Sequence, residues 1–368
     1  MSRLEALRDK LAGGRPLSGE MLEGCDFQAV AMPRAVFHQC RMRGARFNGC
    51  DLSRATFSGC DLALADFSGA RLDGASLVDC ALAGARFGTL AIERLVLAKC
   101  DLAGSDWRGV SLSQGAWSDC DLSGATLAGA RLERCALLRS KLAGADLSNL
   151  VLRHSALPEV DWRALDCSGL DADTTVLSKG DFSGKNLAGL SLARCNFQEV
   201  VFDGADLSGA CCLKARFHAA KLRETRATRA LFMESSWREV DAEGIDLEEA
   251  VLQAAHLDDC RLDHARARRC VLAHSRHLRA TWRGADLAYA DLSHAEFSRV
   301  DFSRADFAWG RHHATHFLDC DFSGAKRRRA FTTDAALLEA ECQAGMPAPR
   351  AFSPLPSGEG RKPQAVSL

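Results

Sequence analysis

The sequence holds one tyrosine and eight prolines, and it has almost no net charge, with 47 Lys plus Arg against 48 Asp plus Glu. That balance argues against a strongly basic nucleic-acid binder and against a uniformly acidic decoy. There is no run of about 18 apolar residues, so no membrane span is expected. The N-terminus MSRLEALRDK is charged and lacks the apolar core of a signal peptide, which points to a cytoplasmic chain. A Gly-rich phosphate loop, a nucleophile elbow and a paired ligand motif on a helix are all missing. The residues therefore point to a protein that is not an enzyme and needs no cofactor and no metal. Cysteine runs against this poverty. There are 16 of them, and in a cytoplasm they are expected to be reduced thiols.

What is present is a period of five. Every fifth residue from Leu22 to Phe322 makes 61 positions, and 53 of these are Leu, Phe, Met, Ile or Trp. Two residues before the large one the chain commonly carries a small or branched apolar residue, as at Cys25, Val30, Ala35 and Cys40. Asp, Arg, Asn or Ser commonly precedes the large residue, and Ser-Gly or Ala-Gly commonly follows it. Helices repeat at 3.6 and strands at 2, so neither accounts for five. A solenoid whose straight sides are five residues long does.

The motif is literal as ADLSN at Ala145–Asn149 and as ADLSG at Ala205–Gly209. In this it resembles the pentapeptide-repeat proteins, over residues 20–326. The resemblance implies an all-β solenoid, a right-handed quadrilateral β-helix of about 15 coils with four pentapeptides per 20-residue coil. Coils stacked about 4.8 Å apart would make one continuous rod on the order of 70 Å long. One large and one small inward residue per side would fill a square tube without voids, with Ser, Asp and Gly at the corners. MSRLEALRDKLAGG reads as an N-terminal capping helix within residues 1–19. TTDAALLEAECQAG reads as a C-terminal helix within 327–345, and the Pro- and Ser-rich residues 346–368 read as a disordered tail. In family members a C-terminal element can mediate dimerisation, so the resemblance extends to a homodimer through this helix.

Residues 20 apart should sit one above another. Phe27, Phe47, Phe67, Phe87 and Trp107 should form one aromatic column, and Cys40, Cys60, Cys80, Cys100 and Cys120 an inward thiol column. These cysteines read as small apolar fillers, because parallel side chains at the coil spacing are too far apart for an unstrained disulfide. The period weakens at Cys167, Ala172, Cys212, Ala227, Ala242, Ala267, His277 and His312, which reads as repeat degeneracy or a recognition notch. Lys185 stands where a small apolar residue belongs, so a bulge or a snorkelling side chain is expected there.

Outward columns supply the candidate sites. Arg34, Arg54, Arg94, Arg134 and Arg194, with Lys214, would form a basic stripe, partly offset by Asp73, Glu93, Glu133 and Asp173. Two Asp-rich columns include Asp61, Asp101 and Asp121, and Asp26, Asp66 and Asp106. A fourth column is bland: Val36, Thr56, Ser76, Val96, Ala116, Ala136, Ala156 and Val176, with Val78 and Leu138 beside it. This face suits docking of another protein. Late in the chain, His274 and His294 should stack on an outer column near His313.

These features point to a rigid scaffold for protein–protein interaction, with no direct nucleic-acid and no membrane contact. Long uninterrupted members resemble those associated with bacterial type VI secretion, which makes a secretion effector or apparatus component the expected partner of an adaptor. The alternative carried by the resemblance is a DNA mimic that binds DNA gyrase, with topoisomerase modulation or quinolone protection as its outcome. Arg41, Lys141, Arg46 and Arg86 interrupt the acidic columns such a mimic would need.

Overall fold

The computed structural model describes residues 15–344 of the chain. The physics of the fold is visible in a single side, Asp51–Ala55. The Asp51 N–H donates back to Val30 O at 3.2 Å, and the N–H groups of Leu52 and Arg54 donate forward to Arg71 O and Asp73 O, each at 2.8 Å. The Ala55 N–H closes a turn onto Leu52 O at 2.9 Å. That leaves the Ser53 N–H, which Asp51 Oδ1 accepts at 3.0 Å. All five backbone donors are thus satisfied, as a buried solenoid wall requires. Leu52 and Ala55 face inward and are fully buried.

The turn needs a positive φ at its third residue, as a type II turn does. Arg54 supplies it at 58°. The same left-handed position recurs through nearly all of the repeats, with Gly88 taking it one residue early in place of Thr89. Glycine fills it at Gly44 and Gly124 among others, Arg, Lys, Glu or His at many corners, and residues as different as Leu64, Thr174 and Trp309 at the rest.

Repetition of this unit gives an all-β solenoid of about 15 coils with a single short helix described at its C-terminal end. The chain divides into two compact units, Met1–Leu177 and Ser178–Leu368. In the first, the strands Leu17–Ser18, Val36–His38, Thr56–Ser58, Ser76–Val78, Val96–Ala98, Ala116–Ser118 and Ala136–Leu138 form one parallel sheet. A second face carries the strands from Ala91–Glu93 to Asp171–Asp173. In the second unit, Asn196–Gln198 through His316–Leu318 form a seven-stranded parallel sheet. Each pairing is in a register of 20, for example Phe37 with Phe57 and Trp237 with Leu257.

The expected columns are present. Phe27 stacks on Phe47 at 5.2 Å, Phe47 on Phe67 at 5.0 Å, Phe67 on Phe87 at 5.2 Å and Phe87 on Trp107 at 3.6 Å. The cysteines are free thiols. Their Sγ atoms donate to carbonyls one coil back: Cys60 to Phe37 O at 3.5 Å, Cys100 to Leu77 O at 3.3 Å and Cys120 to Leu97 O at 3.5 Å. Ser155 does the same to Leu132 O at 3.0 Å. Cysteine recurs here as a small filler that also carries a weak donor.

The boundaries differ from expectation. Leu17–Ser18 is already a strand, paired with Phe37 and His38, so the solenoid reaches into the segment expected as a capping helix. The rest of that cap, residues 1–14, lies outside the described residues, as does the expected tail at 346–368. At the other end Phe331 still bridges to Arg311, and the helix α1 spans Ala335–Gln343. Its N-cap Asp334 accepts from the N–H groups of Ala336 and Leu337.

The weak positions do not form a notch. Cys167, Ala172, Cys212, Ala227, Ala242, Ala267, His277 and His312 are all buried. Lys185 makes no bulge: its N–H keeps the turn bond to Phe182 O at 3.0 Å, and its carbonyl accepts from Asp206. Its side chain is half-exposed, the snorkelling arrangement.

Candidate functional site

The bland column is a real sheet face of the first unit. Val36 pairs with Thr56, Thr56 with Ser76, Ser76 with Val96, Val96 with Ala116 and Ala116 with Ala136. Single bridges carry the column on to Ala156 and Val176. Val36, Val96, Val176 and Leu138 are exposed large apolar residues. Leu138 and Val78 lie on the neighbouring outward column with His38, Ser58, Ala98 and Ser118. Over residues 36 to 176 neither outward column of this sheet contains Asp, Glu, Lys or Arg. The sheet of the second unit is different, with Arg216, Arg238, Asp258, Arg276 and Glu296 on its outward positions.

The basic stripe falls on the left-handed corner position. Arg34, Arg54, Arg94, Arg134 and Arg194 have φ between 53° and 60°. Arg94 contacts Glu93 at 3.4 Å, while Asp73 contacts Arg71 at 3.7 Å. Arg54, Arg94, Arg71, Asp73 and Glu93 line a cleft of about 610 Å³.

The Asp columns are occupied by the fold. Asp61, Asp101 and Asp121 each accept the N–H two residues on, and so do Asp26, Asp66 and Asp106. Hydrogen bonds from Ser53 hold the Asp51 carboxyl below its usual range, and those from Ser123 do the same for Asp121. Basic residues one coil away then pair with the same columns, as Arg46 with Asp26 at 3.9 Å, Lys141 with Asp121 at 3.6 Å and Lys326 with Asp306 at 3.8 Å. Acid and base alternate from Asp26 to Asp106, whereas Asp101 with Asp121, Asp146 with Asp166 and Asp286 with Asp306 stack acid on acid.

The late histidines divide into two kinds. His277 and His312 occupy large inward positions, where burial drives their rings down to about 3 and about 4. His277 stacks on Phe297 at 4.4 Å and meets Ser275 Oγ at 2.9 Å, acting as an aromatic filler. His274 and His294 stack on the outside at 4.8 Å, as the 20-residue coil implies. His313 meets His294 edge-on at 5.2 Å, and Glu341 of α1 lies against both. Nothing in the period of five marks Glu341, because it stands beyond the repeats.

Among the described residues no helix is long and apolar enough to cross a membrane. Models of a pentapeptide repeat region and of pentapeptide repeats match residues 21–87 and residues 118–157, 181–211 and 268–304. Among solved structures the chain is similar to QnrB1, a plasmid-mediated fluoroquinolone resistance protein, at 21% identity over 49% of this chain and 90% of that one, with a TM-score of 0.29. It is similar to HetL of the cyanobacterium Nostoc, a protein involved in regulating heterocyst differentiation, at 21% identity over 73% of this chain and 96% of that one, with a TM-score of 0.19. It is similar to Rfr23 of the cyanobacterium Cyanothece at 22% identity over 36% of this chain and 90% of that one, with a TM-score of 0.25. No curated protein matches the chain.

Proposed function

The chain belongs to the pentapeptide-repeat family, and on that premise we propose that it is a non-enzymatic scaffold whose charge-free sheet face docks another protein. One observation carries this reading: from Val36 to Val176 the outward columns of that sheet lack any Asp, Glu, Lys or Arg, while exposed Val36, Val96, Leu138 and Val176 stand on them. A parallel ladder anchored by buried Phe37, Phe57, Leu77, Leu97 and Trp117 keeps those side chains in fixed rows. A surface organised before binding loses little conformational freedom when a partner seats on it. Arg34, Arg54, Arg94 and Arg134 line the adjoining corner and supply a polar rim. Interfaces of this build place apolar contacts centrally and charges at the margin.

The finer reading is an adaptor that holds a type VI secretion effector or apparatus component. The competing reading, a DNA mimic for gyrase, requires an uninterrupted acidic face. The ladder of Arg46 with Asp26 and Lys141 with Asp121 breaks that face up, which favours the adaptor.

The test is capture of partners from the native host at moderate salt, with the parent chain beside Val96→Glu and Ala136→Glu. The adaptor reading expects a secretion component that both substitutions release. Capture of gyrase subunits would replace it with the mimic. Retained capture by both variants at unchanged stability would remove this face from consideration.

A further inference from the structure

At the C-terminal end of the second unit, two corners of the solenoid and α1 bring three ligand-type side chains together. His294 Nε2 lies 3.4 Å from Glu341 Oε2, and His313 Nε2 lies 3.1 Å from the same oxygen. The three donor atoms lie within 4.8 Å of one another. We infer that His294, His313 and Glu341 form a site for one divalent transition-metal ion of the zinc type, which fastens α1 to the solenoid.

The distances suit such an ion. Bonds of about 2.0–2.1 Å in a tetrahedral array set neighbouring donors about 3.3 Å apart. Both contacts to Glu341 already have about that separation, and the two histidine nitrogens lie within 4.8 Å of each other. Two imidazoles and one carboxylate, with one position left for water, is a known three-ligand zinc set. Imidazole donors also select against calcium and magnesium, which take oxygen ligands.

The surroundings hold the ligands in place. The His294 N–H donates to His313 O at 2.8 Å, which ties the two histidines together through the backbone. His274 stacks on His294 with ring planes 2° apart, and the His313 ring stands at 77° to that of His294. The His313 side chain is only 9% exposed, and those of His294 and Glu341 only 19%. Without an ion, the Asp334 N–H donates to His313 Nδ1 at 3.3 Å, so Nε2 carries the ring proton and donates to Glu341. Loading an ion moves that proton to Nδ1 and opens the bond from Asp334.

A second observation points the same way. α1 has nine residues, and none of them is buried. Helices this short are marginal on their own, and most draw their stability from a packed apolar face. Glu341, Asp334 and Thr333 tie α1 and its lead-in to the solenoid through polar contacts, beside a half-buried Leu338. An ion shared by Glu341 and two histidines is the kind of fastening that such a helix lacks.

The experiment uses the untagged full chain in a Cys342→Ser background, which removes an exposed thiol next to Glu341. Zinc is titrated by calorimetry and cobalt(II) by absorbance. The expected result is one equivalent of each, with tetrahedral cobalt bands and no thiolate charge-transfer band. Glu341→Gln should weaken zinc at least tenfold, and the His294→Ala, His313→Ala double variant should abolish binding. Zinc should raise the thermal midpoint of the parent and leave that of Glu341→Gln unmoved. The nearly isosteric Glu341→Gln keeps the comparison valid should the double variant lose its fold. No zinc binding by the parent would overturn the proposal, as would equal affinity in Glu341→Gln or a thiolate band with cobalt.

Discussion

Ser105 Oγ accepts the indole N–H of Trp107 at 2.8 Å, and Ser235 Oγ accepts that of Trp237 at 2.9 Å. Within a side the small inward residue stands two places before the large one, so a serine there satisfies a tryptophan that the core would otherwise orphan. Trp282 has Ala280 in that place, and its Nε1 finds no partner among the described residues. Ala280→Ser should therefore stabilise the chain by about 1 kcal/mol, and Ser105→Ala should destabilise it by about 1–3 kcal/mol. Urea midpoints at unchanged slope are the measurement. A destabilising Ala280→Ser would show that the hydroxyl finds no room beside the indole.

The aromatic column sets a second expectation. Phe67 is fully buried, between Phe47 at 5.0 Å and Phe87 at 5.2 Å. Phe67→Ala should cost about 3–5 kcal/mol, because the coils above and below keep the cavity from collapsing. Chemical denaturation reads this directly, and a loss under 1 kcal/mol would mean that the tube closes around the gap.

His277 makes acid stability testable. Its folded pKa of about 3 lies below the ordinary 6.5 because the ring is buried. Between those values the unfolded chain takes up a proton that the folded chain refuses, so stability falls as pH drops below 6.5. The slope reaches about 1.4 kcal/mol per pH unit for each such histidine. His312, held down to about 4 by burial, adds to it. His277→Phe, which continues the stack with Phe297, should flatten the profile between pH 6 and 4. An unchanged profile would mean that His277 is protonated in the folded chain.

Thiol chemistry should report burial. Cys342 is exposed, whereas burial pushes the Cys320 thiol up to about 11 and that of Cys260 to about 12. A disulfide reagent at pH 8 should label Cys342 within seconds to minutes and leave Cys60 and Cys100 untouched until the chain unfolds. Mass spectrometry of the labelled peptides checks this. Early labelling of Cys60 would contradict its placement in the wall.

Much of this architecture was legible before any coordinates. Leu, Phe and Trp every five residues announce which side chains face inward, and spacings of 20 announce which ones stack, as Phe27 and Phe47 do. The work of the aspartates was not legible. Asp51 reads as a corner residue, yet it sits on the straight side and accepts the one N–H that no neighbouring coil reaches. Nor do Arg54 or Arg134 advertise a left-handed backbone, because tertiary bonding imposes it where glycine would be the local preference. Leu17 lies on the five-residue frame, so the early start of the solenoid could have been read from it. Glu341 could not, since its meeting with His294 and His313 depends on where α1 lies and no repeat sets that.

The register of 20 also governs how such a chain can change length. Excising one whole coil returns every Phe, Cys and Asp to the row it left, and the cut ends meet in matching geometry. Removing one residue fewer turns each later inward side chain toward water and each corner arginine toward the core, and removing one more drives the Asp-bearing row inward instead. Insertions and deletions are thus filtered in steps of a full turn. The charge-free face, built from identical increments, can lengthen or shorten the same way and keep the pitch that a partner would read.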